Sequence, residues 1–320
     1  MSAPGFKTAM VLAAGRGVRM RPLTAVLPKP ALPLPDGPVI ASALRLAASA
    51  GAERIVINLC HLAEEMAAAV ADVSLPGVKI ELSFEQELMG TAGGLATARD
   101  RGLLGDEGSI LVINGDGVFG LDLRDLFDRH FGREDLVTLA LLPHLDPARW
   151  SRILLGTDGA VETILPPGSA GDQEASFLYP GVMAVRLEAV ETLPSNPAEV
   201  PATLWKSAYS ARRFGGVVVA GHWREVGTPG DYREAVCAYL SGSTVIHPSA
   251  VVGSQARITN SLIGRGASVM DDATIEDSVV AEGAAVRAGG LVRASVLLGE
   301  TTVAPGEAVV HDVRAFTPVR

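Results

Sequence analysis

The chain has 320 residues, 48% of them hydrophobic, and a formal net charge of −9. That acidity excludes general binding to a nucleic-acid backbone, which needs a surplus of lysine and arginine on one face, and no apolar run approaches the roughly 20 residues of a membrane span. The two cysteines, Cys60 and Cys237, lie far apart and match no metal or redox spacing; they read as reduced, packed thiols and exclude a disulfide framework.

The N-terminal stretch "MSAPGFKTAMVLAAG" carries one lysine and a short apolar run without the longer core and cleavage region of a signal peptide, so a cytoplasmic location is expected. From there to about residue 240 short apolar strands alternate with amphipathic helices. Strands are expected at 9–13, 54–59, 78–84, 109–114 and 136–142, and helices at 38–51, 62–73, 91–102 and 122–131, the last with Asp122 as N-cap. Such alternation implies a mostly parallel sheet covered on both faces, with ligands at the carboxyl ends of the strands. The loops after the first strand and after "VINGD" lie there.

Beyond Leu240 the pattern changes. Apolar residues fall at Ile246, Val252, Ile258, Ile263, Val269, Ile275, Val280, Val286, Val292, Leu297, Val303 and Val309, with spacings of six, six and five repeated. Small residues recur four positions after these markers, at Ala250, Ala256, Ala267, Ala273, Ala284 and Gly290. One apolar residue pointing inward per side and one small residue near each corner describe a narrow three-sided coil, whose open apolar face is covered by the next coil. About four coils fit between Gly242 and Val310.

The most informative stretch is "VLAAGRGVRMRPLTAVLPKP", Val11 to Pro30. A dinucleotide fingerprint would need a third glycine where Met20 stands, and a Walker A loop would need glycine-lysine-serine/threonine; neither is present. Gly15 and Gly17 alone could serve a sharp turn. Arg16, Arg19, Arg21 and Lys29, clustered in a strand-end loop of an acidic protein, point instead to a cradle for a polyphosphate.

"LAAGRGVRMRPLTAVLPKP" resembles the signature of the nucleoside-diphosphate-sugar pyrophosphorylases, the sugar-1-phosphate nucleotidyltransferases. "ELMGTAGGL" from Glu87, "VINGD" from Val112, "YPGVMAV" from Tyr179 and "HWREVGTPGDY" from His222 follow in that family's order. The C-terminal segment resembles the hexapeptide-repeat left-handed β-helix that many members carry. The resemblance implies an α/β, Rossmann-like, mixed but mostly parallel sheet in a nucleotidyltransferase domain over residues 1–240, a short left-handed parallel β-helix over 241–310 and a tail over 311–320. Among members, those most similar are mannose-1-phosphate guanylyltransferases with such a β-helix.

The reaction so implied is attack of a sugar 1-phosphate oxygen on the α-phosphorus of a nucleoside triphosphate, which needs two anions brought together and charge neutralised on the leaving pyrophosphate. By the resemblance Arg19 contacts the triphosphate and Lys29 the α-phosphate and the incoming sugar phosphate. Leu12, Ala13, Ala14, Gly15, Gly17, Glu85, Gly90 and Thr91 would surround the nucleotide, with Gly93 also letting backbone approach it. Gly115, Gly181 and Val182 would contact the sugar, and Asp116 and Glu225 would hold Mg2+. A homo-oligomer joined through the β-helix is expected.

Four departures from the family's pattern stand out. Val18 replaces a threonine, Glu225 an aspartate and Tyr179 an asparagine, and the E-K-P whose lysine touches the sugar phosphate is missing from "ETILPPGSAG". Arg186, Lys206 or Arg212 could take over that contact. His130 and His144 read as surface or helix-end residues, and His222 and Trp223 as packing around the site. Two alternatives stay open: UTP or dTTP with a glucose-type or other hexose 1-phosphate, and a non-catalytic relative that binds nucleotide sugar and regulates a partner.

Overall fold

The computed structural model describes residues 5–106, 108–144, 146–169 and 176–316. The start of the N-terminal stretch, the Ala170–Gly171 end of "ETILPPGSAG" and the last four residues of the expected tail lie outside the described residues. Packing divides the chain into two compact units: Met1–Gly15, Ile40–Ala63 and Ser74–Arg224 form the first, and Arg16–Val39, Glu64–Val73 and Glu225–Arg320 the second.

The first unit is built on a ten-stranded mixed sheet. Its strands are β1 (Thr8–Leu12), β2 (Arg54–Leu59), β3 (Lys79–Phe84), β4 (Ser109–Asn114), β6 (Val137–Pro143), β7 (Arg152–Leu155), β8 (Val161–Leu165), β9 (Ser176–Leu178), β10 (Val182–Arg186) and β11 (Phe214–Val218); β5 (Gly117–Asp122) and β12 (Ala220–Glu225) pair separately. Across the sheet the order is β8-β7-β9-β6-β10-β4-β1-β2-β3, with β11 on β6. Strands β4, β1, β2 and β3 run parallel, whereas β10 is antiparallel to both β4 and β6. Strands β1, β2 and β4 are largely apolar, as burial on both faces demands: Ala9, Met10, Val11, Ile55, Val56, Ile57, Ile110, Leu111, Val112 and Ile113 are all buried, whereas β3, last in the sheet order, carries Lys79 and Glu81. Helix α3 (Gly90–Asp100) sets Ala92, Leu95, Ala96 and Ala98 into the core cluster that holds Met10, Val56, Val112, Leu139 and Met183.

The expected elements occur with ends moved by one or two residues, including α1 (Ile40–Ser49) and α2 (Ala63–Ala71). One assignment is corrected. Asp122 is the last residue of β5, and the N-cap of α4 (Arg124–Gly132) is Leu123; the Asp122 carboxylate still accepts the Arg124 N–H at 3.1 Å, the local bond that made it look like a cap.

His130, expected at a surface or helix end, does lie in the last turn of α4, but it is fully buried. Its Nδ1 lies 2.8 Å from Thr138 Oγ1 and its Nε2 2.9 Å from Ser109 Oγ. Burial first, and the Arg186 guanidinium second, lower its pKa from 6.5 to about 4. The unfolded chain therefore takes up this proton at a higher pH than the folded one. The resulting stability is present above pH 6.5 and is lost as pH falls toward 4, up to about 3 kcal/mol for such a shift. Urea unfolding at pH 7 and pH 4.5 should show a larger drop for the wild type than for His130→Gln; equal drops would exclude the effect.

The second unit contains the repeats. Four successive coils, each of three short strands, stack into three parallel sheets, so that residues 17 apart pair: Val245 with Leu262, Val251 with Ser268, Arg257 with Thr274, and onward. This is the parallel β-helix expected from the spacing. Nine of the twelve marker residues, Ile263 through Val309, are buried, each contributing roughly 1.5–3 kcal/mol. Ile246 is 45% exposed and Val252 and Ile258 are half-buried, because the first coil has a described neighbour on one side only. At one corner Ser261, Ser278 and Ser295, all fully buried, form a ladder: the Ser278 N–H donates to Ser261 Oγ, the Ser295 N–H to Ser278 Oγ and the Asp312 N–H to Ser295 Oγ, each at 3.1 Å. Val313–Phe316, in the segment expected as a tail, adds a fifth strand to one sheet.

This unit also takes in segments that the sequence reading placed with the N-terminal domain. Helix α5 (Pro229–Leu240) lies on the coils, with Arg233 donating to the Asp277 carbonyl and Cys237 to the Asn260 carbonyl. Arg265 forms an ion pair with Asp72, and the turn Leu23–Ala25 lies against Val313–Phe316.

Candidate active site

In the first unit the carboxyl ends of β1, β2, β3, β4 and β6 and the start of β10 share one edge, as the pairs Leu12–Asn58, Asn58–Ser83, Leu12–Asn114, Val182–Ile113 and Met183–Leu139 require. The Leu12 carbonyl accepts the Gly115 N–H at 2.8 Å. A Cβ on Gly115 would come within 2.9 Å of that oxygen, so these two loops close on each other only with glycine there. Next to them Gly181 holds φ +92°, accepts the Asn114 N–H at 2.8 Å, and has no room for a Cβ beside the Asn114 amide. Ala13 and Ala14 are buried, whereas a Cβ on Gly15 would meet nothing within 4 Å: the backbone is bare there.

A buried polar relay fixes this loop, and it is the part that sequence reasoning missed. The Ala13 N–H donates to Asn58 Oδ1 at 2.9 Å, Asn58 Nδ2 donates to Glu85 Oε1 at 2.8 Å, and Glu85 Oε2 accepts the Met89 N–H at 3.2 Å. Burial pushes the Glu85 carboxyl above its ordinary range, against the opposing pull of Asn58, the Met89 N–H and Arg101. Glu85, expected beside the nucleotide, thus has both oxygens engaged inside the protein and holds the glycine loop from behind. The signal for Asn58 was present as one amide in the apolar run "RIVINL".

Other expected contacts are also rearranged. Thr91 gives both its N–H and its hydroxyl to Glu199 Oε2, at 3.2 and 2.6 Å. Cβ atoms on Gly90 and Gly93 would strike the Ala198 and Asn196 carbonyls at 2.5 and 2.9 Å, so these glycines admit the chain's own 196–198 backbone. Val182 is fully buried in β10, leaving a ligand only its backbone. The Tyr179 ring packs edge-on against Trp205, 5.1 Å between centroids, and burial raises its phenol well above the usual value. Arg186 donates to the Asp135 and Arg133 carbonyls at the opposite, amino edge, where Arg212 also lies just ahead of β11; Lys206 is exposed on the short helix leading back to that edge.

Asp116 is half-buried in the tight turn between β4 and β5. Its neighbour Gly117 has Trp223 Nε1 where a Cβ would need to be, 2.6 Å away, and His222 lies equally close over Gly120. Trp223 and His222 pack against the glycines of β5, as expected.

In the second unit Gly17 holds φ +56°, and a Cβ there would meet Thr24 Cγ2 at 2.9 Å and Lys29 Cβ at 3.3 Å. Thr24 Oγ1 donates to the Gly17 carbonyl, closing the basic stretch into a compact knot. Arg16, Val18, Arg19 and Arg21 stay exposed around it, while Lys29 is 7% exposed. Arg19 Nη2 lies 3.2 Å from Glu225 Oε1, so the arginine and one expected metal ligand pair with each other; the Arg19 side chain is 69% exposed and that of Glu225 17%. Among the described residues no group of three or more His, Cys, Asp or Glu is assembled to hold a metal, and no helix is long and apolar enough to cross a membrane.

The model of the nucleotidyl transferase family matches residues 8–242. The chain belongs to this family. It is 29% identical over 280 residues to a mannose-1-phosphate guanylyltransferase of Mycobacterium tuberculosis, covering 82% of this chain and 76% of that one. It is 27% identical to the mannose-1-phosphate guanyltransferase of Pichia angusta (73% and 65% covered) and 27% identical to a UTP–glucose-1-phosphate uridylyltransferase of Synechocystis (73% and 63%). Among solved structures it shares its fold with HddC from Yersinia pseudotuberculosis, crystallised with GMP-PN, at 19% identity and a TM-score of 0.60 over 73% of this chain and 100% of that one. A putative glucose-1-phosphate thymidylyltransferase of Bacillus anthracis gives 20% identity and a TM-score of 0.61 over 72% and 94%. Nucleotidyl transferases of this family generally work with a divalent metal. In this member the oxygen donors of Asp116 and Glu225 are of the hard type that such an ion takes.

Proposed function

We propose that the protein transfers the guanylyl group of GTP to mannose 1-phosphate, releasing pyrophosphate and forming GDP-mannose. The similarity to the mycobacterial and yeast guanylyltransferases carries the choice of base and sugar. A phosphate oxygen of the sugar attacks the α-phosphorus, the bond from that phosphorus to the α,β-bridging oxygen breaks, and pyrophosphate leaves with the electron pair. Little covalent chemistry is asked of the protein; it must position two anions and neutralise the leaving group.

The bare backbone around Gly15, held by Ala13, Asn58 and Glu85, receives the nucleotide. Arg19, whose fork can take two phosphate oxygens at once, serves the β- and γ-phosphates, and Lys29 the α-phosphate. Asp116 and Glu225 are assigned to Mg2+, which when bound supplies charge neutralisation on the phosphates. Gly181 and Gly115 bring backbone groups to the sugar. The remaining readings are a catalytic domain over 1–240, assembly of copies through the β-helix and a cytoplasmic location.

A panel of GTP, UTP, dTTP and ATP against mannose and glucose 1-phosphates, with magnesium and a pyrophosphate readout, tests this. The expected result is fastest release with GTP and mannose 1-phosphate. Release with UTP or dTTP and glucose 1-phosphate selects the other sugar nucleotide. No release with any pair, alongside retained binding of nucleotide sugars, establishes a regulatory relative.

A further inference from the structure

The chemistry proposed above calls for a cation in place of the missing E-K-P lysine at the phosphate of the incoming sugar, and Arg186, Lys206 and Arg212, the replacements considered from the sequence, lie at or lead toward the wrong edge of the sheet. We propose that Arg149 makes this contact, presented by a shelf of two tryptophans; the assignment rests on the sugar-1-phosphate reading.

Strand β6 runs parallel to β4, because both are antiparallel to β10. The loop that follows β6 therefore emerges at the same edge as Asp116 and Gly181. Trp150, near the end of this loop, meets Trp223 edge-to-face, with centroids 5.7 Å apart and planes at 65°. Trp223 in turn covers Gly117, the residue after Asp116. The Arg149 guanidinium carbon sits 4.7 Å from the Trp150 ring centroid, within cation–π range.

The loop backbone is pinned as well. Asp146 accepts the Ala148 N–H with Oδ1 and the Arg149 N–H with its carbonyl, both at 3.1 Å, and His144 Nε2 donates to the Ser151 carbonyl at 3.1 Å. An arginine held on an aromatic face from a pinned loop has already given up much of the side-chain freedom that binding would otherwise cost.

Arg101 donates to Ser83 Oγ and the Phe84 carbonyl, and Arg152 is fully buried and donates to the Ser169 carbonyl. Arg149 is exposed. Its guanidinium suits a phosphate, and the exposed part of the Trp150 ring offers an apolar wall to the C–H face of a hexose.

The test is steady-state kinetics and direct calorimetric binding of mannose 1-phosphate to the full-length wild type and to Arg149→Ala, Arg149→Lys and Arg224→Ala. Arg224 follows Trp223 in β12 and so faces the other side of that ribbon. Loss of one charge-assisted contact predicts a KM and a binding constant for mannose 1-phosphate weakened about ten- to a hundred-fold in Arg149→Ala, partial recovery in Arg149→Lys, and a KM for GTP within about two-fold of wild type. Arg224→Ala should match wild type. An active enzyme whose KM for the sugar phosphate ignores Arg149 overturns the assignment and leaves the proposed function standing. A wild type that releases no pyrophosphate yet binds the sugar phosphate in an Arg149-dependent way overturns the function and keeps the assignment; absence of both activity and binding overturns both.

Discussion

Arg19→Ala should lower turnover by about 10²- to 10³-fold, the usual cost of removing one preorganised charge from a transition state, while leaving the melting temperature nearly unchanged. The two halves of this expectation have separate physical sources. Arg19 is exposed and pairs with Glu225 at 3.2 Å; exposed ion pairs contribute about 0–1 kcal/mol, so the fold barely registers the loss. The charge is needed only when a triphosphate arrives and pyrophosphate leaves. Because the loss belongs to the transition state, kcat and kcat/KM should fall together, and Arg19→Lys should recover only part of the rate, since a point charge cannot hold two oxygens in a fork. Pyrophosphate release measured beside a thermal melt checks both halves. A variant that turns over normally removes Arg19 from the site, and one that melts early shows a structural role instead.

Asn58→Ala should act in the reverse manner, through the fold first. The substitution leaves the Ala13 N–H without its acceptor and removes a donor from a carboxylate that is 8% exposed. Unsatisfied buried groups of this kind cost about 2–4 kcal/mol together. The loop that carries Ala13, Ala14 and Gly15 also loses its anchor, and misplacement by about 1 Å is enough to cost 10²-fold in rate. Urea unfolding should therefore show the loss of stability, and the KM for the triphosphate should rise while the KM for the sugar phosphate stays near wild type. Glu85→Gln keeps an oxygen for the Asn58 amide and sheds the raised-pKa carboxyl, so it should cost less on both counts. Lowered stability with unchanged triphosphate KM would leave Asn58 as a core residue with no part in positioning.

Local chemistry settled a good deal of this protein before any folding was considered. The six-six-five spacing from Ile246 to Val309 determined the three-sided coil, because a residue that must point inward on every side leaves a mark at every side. Apolar runs located the inner parallel strands β1, β2 and β4 within a residue or two, since a strand buried on both faces can hold little else. The basic knot from Arg16 to Lys29 announced a polyphosphate, because four cations gathered in an acidic chain have a local cost that only an anion repays.

Tertiary structure decided which polar groups are free to meet a ligand. Glu85 and Thr91 look alike in sequence, as polar residues in a glycine-rich loop, yet each is consumed by a partner distant along the chain: Glu85 by Asn58, Thr91 by Glu199. Gly90 and Gly93 look like room for a nucleotide and are room for the 196–198 backbone. Arg186 is tied at the far edge, and Arg149 becomes the candidate, only because β10 runs against β4 and β6 runs with it. Spacing along the chain records which face a residue occupies, whereas a hydrogen bond between residues 27 or 108 apart exists only once the sheet has brought them together.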